Sequence, residues 1–222
     1  MFIYKEVIII LTKNQIEEVI DRLDNLYPNL DKSFLDFTTP FELLVATILS
    51  AQCTDVRVNK VTSYMFKYAN KPEDFANMDI KDIESYIKTC GLYKNKAKNI
   101  KNASIMLIRE FDGIVPDNMK DLTKLPGVGR KTANVVMSNA FGIDAIAVDT
   151  HVQRVSNRIG LANSKDVLNT EKDLRKNLPK EKWSKLHHQI IAHGRKICKA
   201  RNPMCEECDL RDLCQDYKER KW

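Results

Sequence analysis

The residues with the clearest chemical potential lie in one turn, Leu125–Ala133, which reads Leu-Pro-Gly-Val-Gly-Arg-Lys-Thr-Ala. Gly127 and Gly129 leave the backbone N–H groups of this turn unobstructed by side chains. An apolar run with helical period follows, so we expect these N–H groups to point along a helix N-terminus. This geometry binds anions, phosphate above all. The turn therefore predicts a phosphate site built from Gly127, Val128, Gly129 and Arg130.

Lys131 follows in the first turn of the predicted helix. A lysine attacks an electrophile only as the neutral amine, which the positive end of the helix dipole, Arg130 and burial would each favour. The sequence therefore predicts an amine nucleophile beside a phosphate site. A plain helix start with a surface lysine remains the alternative at this point.

Four of the six cysteines form one loop, with the spacing C-x6-C-x2-C-x5-C. In a chain without an export signal, such crowding favours a metal site over disulfides. A structural zinc site usually has two C-x2-C pairs, whereas this loop has one. Uneven spacing suits a [4Fe–4S] cluster, in which each iron binds one sulfur. Spacing thus favours iron–sulfur and leaves zinc open; the ligands are Cys198, Cys205, Cys208 and Cys214.

The stretch between the first two of these cysteines is basic and includes Lys199 and Arg201. One interpretation is that these charges offset a negatively charged cluster. The other is that the cluster holds a loop whose Lys199 and Arg201 meet DNA phosphates. The remaining two cysteines, Cys53 and Cys90, are predicted to be small buried hydrophobic residues.

Composition places the chain among globular proteins that can bind a polyanion. It has 222 residues, 36 Lys and Arg against 30 Asp and Glu, and a formal net charge of +6. Its apolar run Val7–Leu11 is far shorter than the roughly 20 residues of a membrane span and lacks a signal-peptide cleavage pattern. We therefore expect no membrane association and a cytoplasmic protein, near the nucleoid if the source is prokaryotic.

Helical periodicity and capping signals run through nearly the whole chain, which predicts an all-α fold of about ten helices. Thr12 with Gln15 forms a candidate capping box, and Gly91 is predicted to end a helix. The exception is Ala145–Val148, a short extended apolar stretch that delivers Asp149, Thr150 and His151. From local pattern alone, Asp149 is a candidate N-cap of the next helix.

Three features in fixed order resemble the endonuclease III family of helix-hairpin-helix DNA glycosylases and abasic-site lyases. They are the Leu125–Lys131 turn, Ala147-Val148-Asp149-Thr150-His151, and the four-cysteine loop; Leu49-Ser50-Ala51-Gln52, Gly91-Leu92-Tyr93 and Gly194-Arg195 also match. The resemblance implies two helical subdomains. A six-helix barrel with the helix-hairpin-helix would span 33–143, and an iron–sulfur cluster subdomain would combine 1–32 with 144–222. A DNA-binding cleft would lie between them.

The resemblance also implies residue roles. Lys131 would be the nucleophile and Asp149 its acidic partner, while Gln52 and Leu92 would fill the space left by an extruded nucleotide. His151 is interpreted as a structural or phosphate-facing residue. For Leu92, spacing alone favours a different interpretation, a core leucine beside a helix end.

The implied activity is removal of damaged bases, oxidised pyrimidines by family expectation, from duplex DNA through a Lys131 Schiff base. Strand cleavage 3′ to the site by β-elimination would follow. We expect a monomer with a [4Fe–4S] cluster, acting on duplex DNA that carries a damaged base or an abasic site. The alternatives are a mismatch-specific glycosylase of the same superfamily and a non-catalytic helix-hairpin-helix DNA-binding protein.

Overall fold

The computed structural model describes residues 10–30 and 33–219, and within these ranges every regular element is helical, so the predicted all-α class is confirmed. In chain order the α-helices are α1 (Lys13–Leu26), α2 (Pro40–Ser50), α3 (Asp55–Met65), α4 (Pro72–Asn77), α5 (Ile80–Ile87), α6 (Tyr93–Phe111), α7 (Met119–Leu122), α8 (Arg130–Phe141), α9 (Thr150–Ile159), α10 (Val167–Asn177), α11 (Trp183–Lys196) and α12 (Gln215–Glu219). The chain divides into two compact units: Ser33–Ile143, and the described parts of 1–32 together with 144–222.

Helix α2 is the centre of the Ser33–Ile143 unit. Pro40 occupies its first turn, and the Thr39 hydroxyl accepts the Glu42 N–H at 3.1 Å, so the sequence fixes where the helix begins. All residues from Phe41 to Leu49 are buried, because α3, α6 and α8 pack around it. An apolar helix without a polar face requires such surroundings. Helices α4 and α5 pack against α6.

The second unit is built on the contact between α9 and α11. Gly194 in α11 permits this close approach, because a Cβ atom there would lie 2.9 Å from Val155 Cγ2 of α9. Helices α10 and α12 also pack against α9, and α1 packs against α11. Asp24 in α1 accepts hydrogen bonds from Lys185 at 2.6 Å and from Gln189 at 2.9 Å, both in α11.

Two local predictions about helix ends have opposite outcomes. Thr12 and Gln15 form the predicted capping box. Gly91, however, does not end α5 in a left-handed conformation; α5 ends at Ile87, and it is Leu92 that has a φ of +59°. Gly91 is required for space instead, because a Cβ there would lie 3.3 Å from the Gln52 carbonyl oxygen.

The described residues contain twelve α-helices rather than about ten, because α4, α7 and α12 are too short to show a clear period. In the same residues, no helix is both long and apolar enough to cross a membrane. Most of the apolar run Val7–Leu11 lies outside the part of the chain that the structure describes.

Candidate functional site

The turn before α8 has the geometry that its sequence predicts. The Val128 N–H donates to the Leu125 carbonyl oxygen at 3.0 Å, which closes a four-residue turn. Pro126 and Gly127 are its central residues, and Gly127 has a φ of +79°. This is the pattern of a type II turn, in which the third position requires a positive φ. Val128 is buried and anchors the turn in its unit.

The two glycines of the turn are needed for different reasons. A Cβ on Gly127 would lie 2.8 Å from the Cβ and 2.9 Å from the Nδ2 of Asn99, a residue of α6 that sequence patterns did not single out. Gly129 has an ordinary negative φ of −91°, and a Cβ there would meet nothing within 4 Å. Packing within the chain therefore explains Gly127 but not Gly129, whose open side is accessible to an external group.

Helix α8 begins without a side-chain cap and without an acidic residue in its first turn. Arg130 and Lys131 are both exposed there, whereas Ala133 and Val136 turn into the core. An uncapped helix N-terminus that carries two cations attracts anions. The expected burial of Lys131 is wrong for the free protein, because the first turn of α8 projects outward from its unit.

Asp149 is the N-cap of α9, as the local pattern predicts. Its Oδ1 accepts the N–H groups of His151 and Val152, each at 2.8 Å. The preceding stretch, Ala145–Val148, is buried throughout and fixes the backbone that delivers this carboxylate. The carboxylate is half-buried and therefore has a defined position with partial access to solvent.

His151 is held between α9 and α11. Its Nδ1 is 3.2 Å from Arg154 Nη2, and the ring also hydrogen-bonds the Gly194 backbone. Burial lowers the pKa of His151, and Arg154 and Arg195 lower it further, although Asp149 acts in the opposite direction. The ring therefore lies in the contact between α9 and α11, and burial there disfavours its charged form.

Gln52 and Leu92 share an unusual conformation within the Ser33–Ile143 unit. Their φ angles are +54° and +59°, in the left-handed region that non-glycine residues seldom occupy. Both side chains are exposed, and Leu92 is 56% exposed. The core-leucine interpretation of Leu92 is therefore wrong. Backbone strain of this kind concentrates at functional sites.

The four loop cysteines line one pocket in the second unit, together with Arg158, His193 and Leu210. Burial raises the pKa of Cys214 to about 11, and Asp216 and the neighbouring thiols Cys198 and Cys208 add to this effect. Among the described residues, no three metal-binding side chains converge closely enough to hold a single metal ion. A cubane spreads its four thiolates farther apart than one zinc ion does, because each binds a different iron. The four thiols supply the donors that a metal centre in this pocket would use.

The residues that support this loop were not found by sequence reasoning, because their contacts with it depend on how α1, α9 and α11 pack together. Arg158 Nη1 donates to the Lys199 carbonyl at 2.8 Å and lies 3.6 Å from Cys198 Sγ. His193 Nε2 lies 3.5 Å from Cys208 Sγ, and its Nδ1 lies 3.2 Å from the Tyr27 hydroxyl. Partners of this kind orient ligands and tune metal sites.

The basic tip of the loop is exposed, as both interpretations of it require. Lys199 and Arg201 have exposed side chains, while the backbone beneath them is fixed by Arg158, which also donates to the Ala200 carbonyl at 3.2 Å. Asn202, at the end of the tip, has a φ of +49°. The tip thus presents two cations on a fixed backbone.

The predicted residues fall into two groups. Gln52, Leu92, the 125–130 turn and Lys131 belong to the Ser33–Ile143 unit, while Asp149, His151, Lys199, Arg201 and the loop cysteines belong to the other. Cys90 is fully buried as expected, but Cys53 is only partly buried, because it lies in the turn after α2.

Comparison with known proteins extends these observations. Residues 45–180 match the family described as HhH-GPD superfamily base excision DNA repair protein. Endonuclease III of Bacillus subtilis (strain 168) is 49% identical, over 95% of this chain and 96% of that protein. Endonuclease III of Escherichia coli (strain K12) is 46% identical, over 91% of this chain and 95% of that protein.

A solved structure also matches, described as a trapped endonuclease III–DNA covalent intermediate in an estranged-adenine complex. Its TM-score is 0.90 at 49% sequence identity, and the match covers 95% of this chain and 99% of that chain. The similarity in fold therefore extends over nearly the whole length of both proteins.

Proposed function

Because the chain belongs to the endonuclease III family, and is thus a DNA glycosylase and abasic-site lyase of base-excision repair, we propose that Lys131 is its nucleophile. One observation carries the proposal: Lys131 is exposed in the first turn of α8, directly after the glycine turn and at a helix N-terminus without a side-chain cap. The turn would bind a phosphate of the DNA backbone, which would bring the Lys131 amine within reach of the adjacent sugar.

The chemistry follows from a neutral amine in this position. The Lys131 Nζ attacks C1′ of the damaged nucleotide, the C1′–N bond breaks, and the base leaves with its bonding electrons and takes up a proton. Ring opening gives a Schiff base between Nζ and C1′, which acidifies the protons at C2′. Loss of one of them expels the 3′ phosphate by β-elimination, and hydrolysis then releases Lys131.

Asp149 is proposed as the acidic partner of this reaction. A carboxylate stabilises positive charge that develops on the sugar as the base departs, and it relays protons between steps. The two N–H groups that bind Oδ1 fix the position of the carboxylate, while Oδ2 makes no hydrogen bond within the cap. The cap and the catalytic role are therefore compatible.

We propose oxidised pyrimidines as the substrate class, with Gln52 and Leu92 entering the duplex. A glycosylase must take its target base out of the stack, which costs a few kcal/mol and costs less for a poorly stacked damaged base. The exposed Leu92 side chain would keep the neighbouring base pairs separated. The Gln52 amide would hydrogen-bond the base that is left without its partner. The fixed left-handed conformations of both residues present these side chains outward.

Contacts with the DNA backbone are assigned to groups that carry no sequence information. Gly127, Val128 and Gly129 would position the backbone N–H groups at the start of α8, which with Arg130 would bind one phosphate, while the Val128 N–H itself closes the turn. Lys199 and Arg201 are proposed to bind others, and His151 to contribute by fixing the start of α9 against α11. These residues would supply affinity for DNA and fix the position of the protein on the duplex. They would not determine which base is removed.

Members of this family bind a [4Fe–4S] cluster, and we propose that Cys198, Cys205, Cys208 and Cys214 hold one here. The pocket that all four thiols line supports this assignment, together with the uneven spacing of the cysteines. When bound, the cluster cross-links the loop and offsets its positive charge. A visible absorbance spectrum tests this, since zinc-loaded protein is colourless.

The nucleophile is tested by borohydride trapping on a duplex with an abasic site. Wild-type protein should give a covalent protein–DNA adduct, and Lys131→Ala should give none while retaining DNA binding. Lys172→Ala, an exposed lysine of α10, is the matched control and should trap like wild type. An adduct with Lys131→Ala would overturn the assignment.

A further inference from the structure

The two cysteines outside the metal-binding loop are neighbours in space. Cys53 lies in the turn after α2 and Cys90 in the segment between α5 and α6, and the two thiols are near enough to interact electrostatically. Both belong to the Ser33–Ile143 unit. Cys53 directly follows Gln52, and Cys90 precedes Gly91 and Leu92. The thiol pair therefore joins the two segments that carry the left-handed residues.

The backbones of these two segments also pass close to each other. A Cβ on Gly91 would lie 3.3 Å from the Gln52 carbonyl oxygen, so the main chain next to Cys90 runs beside the main chain next to Cys53. A disulfide requires the Cα atoms of its two cysteines to lie within about 7 Å, so neighbouring main chains are a precondition for it. The proximity of the two thiols is thus supported by an independent proximity of the main chains.

The surroundings of the pair act on its two thiols in opposite directions. Lys96 is buried, donates from Nζ to the Leu49 carbonyl oxygen at 2.8 Å, and interacts electrostatically with both thiols. A nearby ammonium group stabilises a thiolate. Burial and, to a lesser extent, Cys53 raise the pKa of Cys90 to about 11, whereas Lys96 acts in the opposite direction. Cys53 is partly exposed and Cys90 is fully buried, so a dissolved reagent reaches Cys53 first.

We propose that Cys53 and Cys90 form a reversible oxidation site. A small oxidant of the form RSSR converts the two thiols into an intrachain Cys53–Cys90 disulfide. Closing the bond draws the Gln52 and Leu92 segments together and slows DNA processing. This second effect rests on the proposed role of Gln52 and Leu92 in the duplex. The disulfide itself does not depend on that role.

The reaction balances as a two-step thiol–disulfide exchange. The Cys53 thiolate attacks one sulfur of the oxidant RSSR, which forms a mixed disulfide and releases one RS⁻. The Cys90 thiolate then attacks Cys53 Sγ and releases the second RS⁻. Both protons pass to the departing thiolates, so two cysteines are oxidised and one RSSR is reduced to two RSH. A reducing dithiol reverses both steps.

The disulfide is tested with glutathione disulfide on anaerobically purified, cluster-loaded full-length protein. After free thiols are alkylated, tryptic digestion should yield residues 33–57 cross-linked to residues 89–94, each of which contains one cysteine. The link should vanish in Cys53→Ala and Cys90→Ala and after treatment with dithiothreitol. Wild-type peptides that remain fully alkylated would overturn the proposal without any reliance on the variants.

The functional effect is tested by the rate of nicking of an abasic duplex before and after oxidation, with visible absorbance followed to check that the cluster is retained. A displacement of about 1 Å at an active site can cost on the order of 100-fold in rate. We expect nicking to slow at least about tenfold in oxidised wild type, to recover on reduction, and to be unaffected in Cys53→Ala.

If oxidation slowed nicking by Cys53→Ala as much as nicking by the wild type, the oxidant would act at another site. That result would overturn the functional proposal. Unchanged nicking in protein that carries the mapped disulfide would also overturn it. Failure of the proposed nucleophile is distinguishable, because Lys131→Ala should form the same cross-linked peptides.

Discussion

At the level of single residues, Asp149 shows how one carboxylate meets two demands. Its Oδ1 accepts two backbone N–H groups at 2.8 Å and so satisfies the start of α9. The proposed chemistry needs a negative charge held in a defined place, and the cap provides this position without neutralising the charge. The two demands are separable, because asparagine caps a helix as well as aspartate does but carries no charge.

Asp149→Asn should therefore keep the stability of the protein within a few tenths of a kcal/mol and lose glycosylase activity by about 100-fold or more. Asp149→Ala should lose activity and about 1 kcal/mol of stability as well. Urea unfolding and single-turnover base release measure the two effects. Wild-type base release by Asp149→Asn would show that Asp149 is only a cap.

The two glycines of the turn should also give contrasting variants. Gly127→Ala should lower the free energy of unfolding by about 1–3 kcal/mol, because the new Cβ meets Asn99 and the φ is positive. Gly129→Ala should cost less stability, since its Cβ enters open space, yet weaken binding to an abasic duplex several-fold where a phosphate approaches. Urea unfolding and gel-shift titration distinguish them. Undiminished DNA affinity in Gly129→Ala would count against the phosphate site.

At the level of elements, α9 links two parts of the second unit. Asp149 caps its start, and Arg154 and Arg158, one turn apart, bind the chain at the cysteine loop. Arg154 Nη2 donates to the Cys198 carbonyl at 3.0 Å, and the Cys214 thiol donates to the Arg158 carbonyl at 3.2 Å. Residues four apart lie on one helix face, so both arginines reach the same loop.

Arg158→Lys keeps the positive charge but loses the planar guanidinium group that donates to the Lys199 and Ala200 carbonyls. We therefore expect the proposed cluster to be lost faster. Decay of visible absorbance in the presence of an iron chelator should be several-fold faster than in wild type. Arg175→Lys, an exposed arginine of α10 paired with Glu171, is the control and should decay at the wild-type rate. Equal decay of all three proteins would mean that Arg158 does not support the cluster.

At the level of the whole molecule, the net charge of +6 is modest, so DNA affinity depends on where the cations lie. Lys199 and Arg201 lie exposed on a tip whose backbone Arg158 holds. Each phosphate contact that a cation makes releases counterions and steepens the dependence of affinity on salt.

Replacing both Lys199 and Arg201 by alanine should weaken binding to undamaged and abasic duplexes alike. The slope of log affinity against log salt should become shallower by about two, because two phosphate contacts are lost. Titrations at several salt concentrations measure the slope, with Lys172→Ala as the matched loss of one surface charge. An unchanged slope in the double variant would favour the other interpretation, in which these residues only offset the cluster.

What the sequence could predict was local. The turn around Gly127, the cap at Asp149 and the cysteine spacing are set by neighbours within a few residues, and the first two are confirmed. The exposure of Leu92, the contact of Tyr27 with His193 and that of Arg158 with Lys199 depend on how segments far apart in the chain pack together. Local periodicity contains no information on such contacts, so the core-leucine interpretation failed.

The left-handed conformations of Gln52 and Leu92 set stability against function. Each costs on the order of 1–2 kcal/mol relative to an ordinary backbone, whereas glycine adopts the same φ without this cost. Glycine at either position would therefore relieve strain in the free protein and remove the side chain proposed to enter DNA. Selection for thermostability alone would favour these replacements and yield proteins that outlast the wild type on heating but repair poorly.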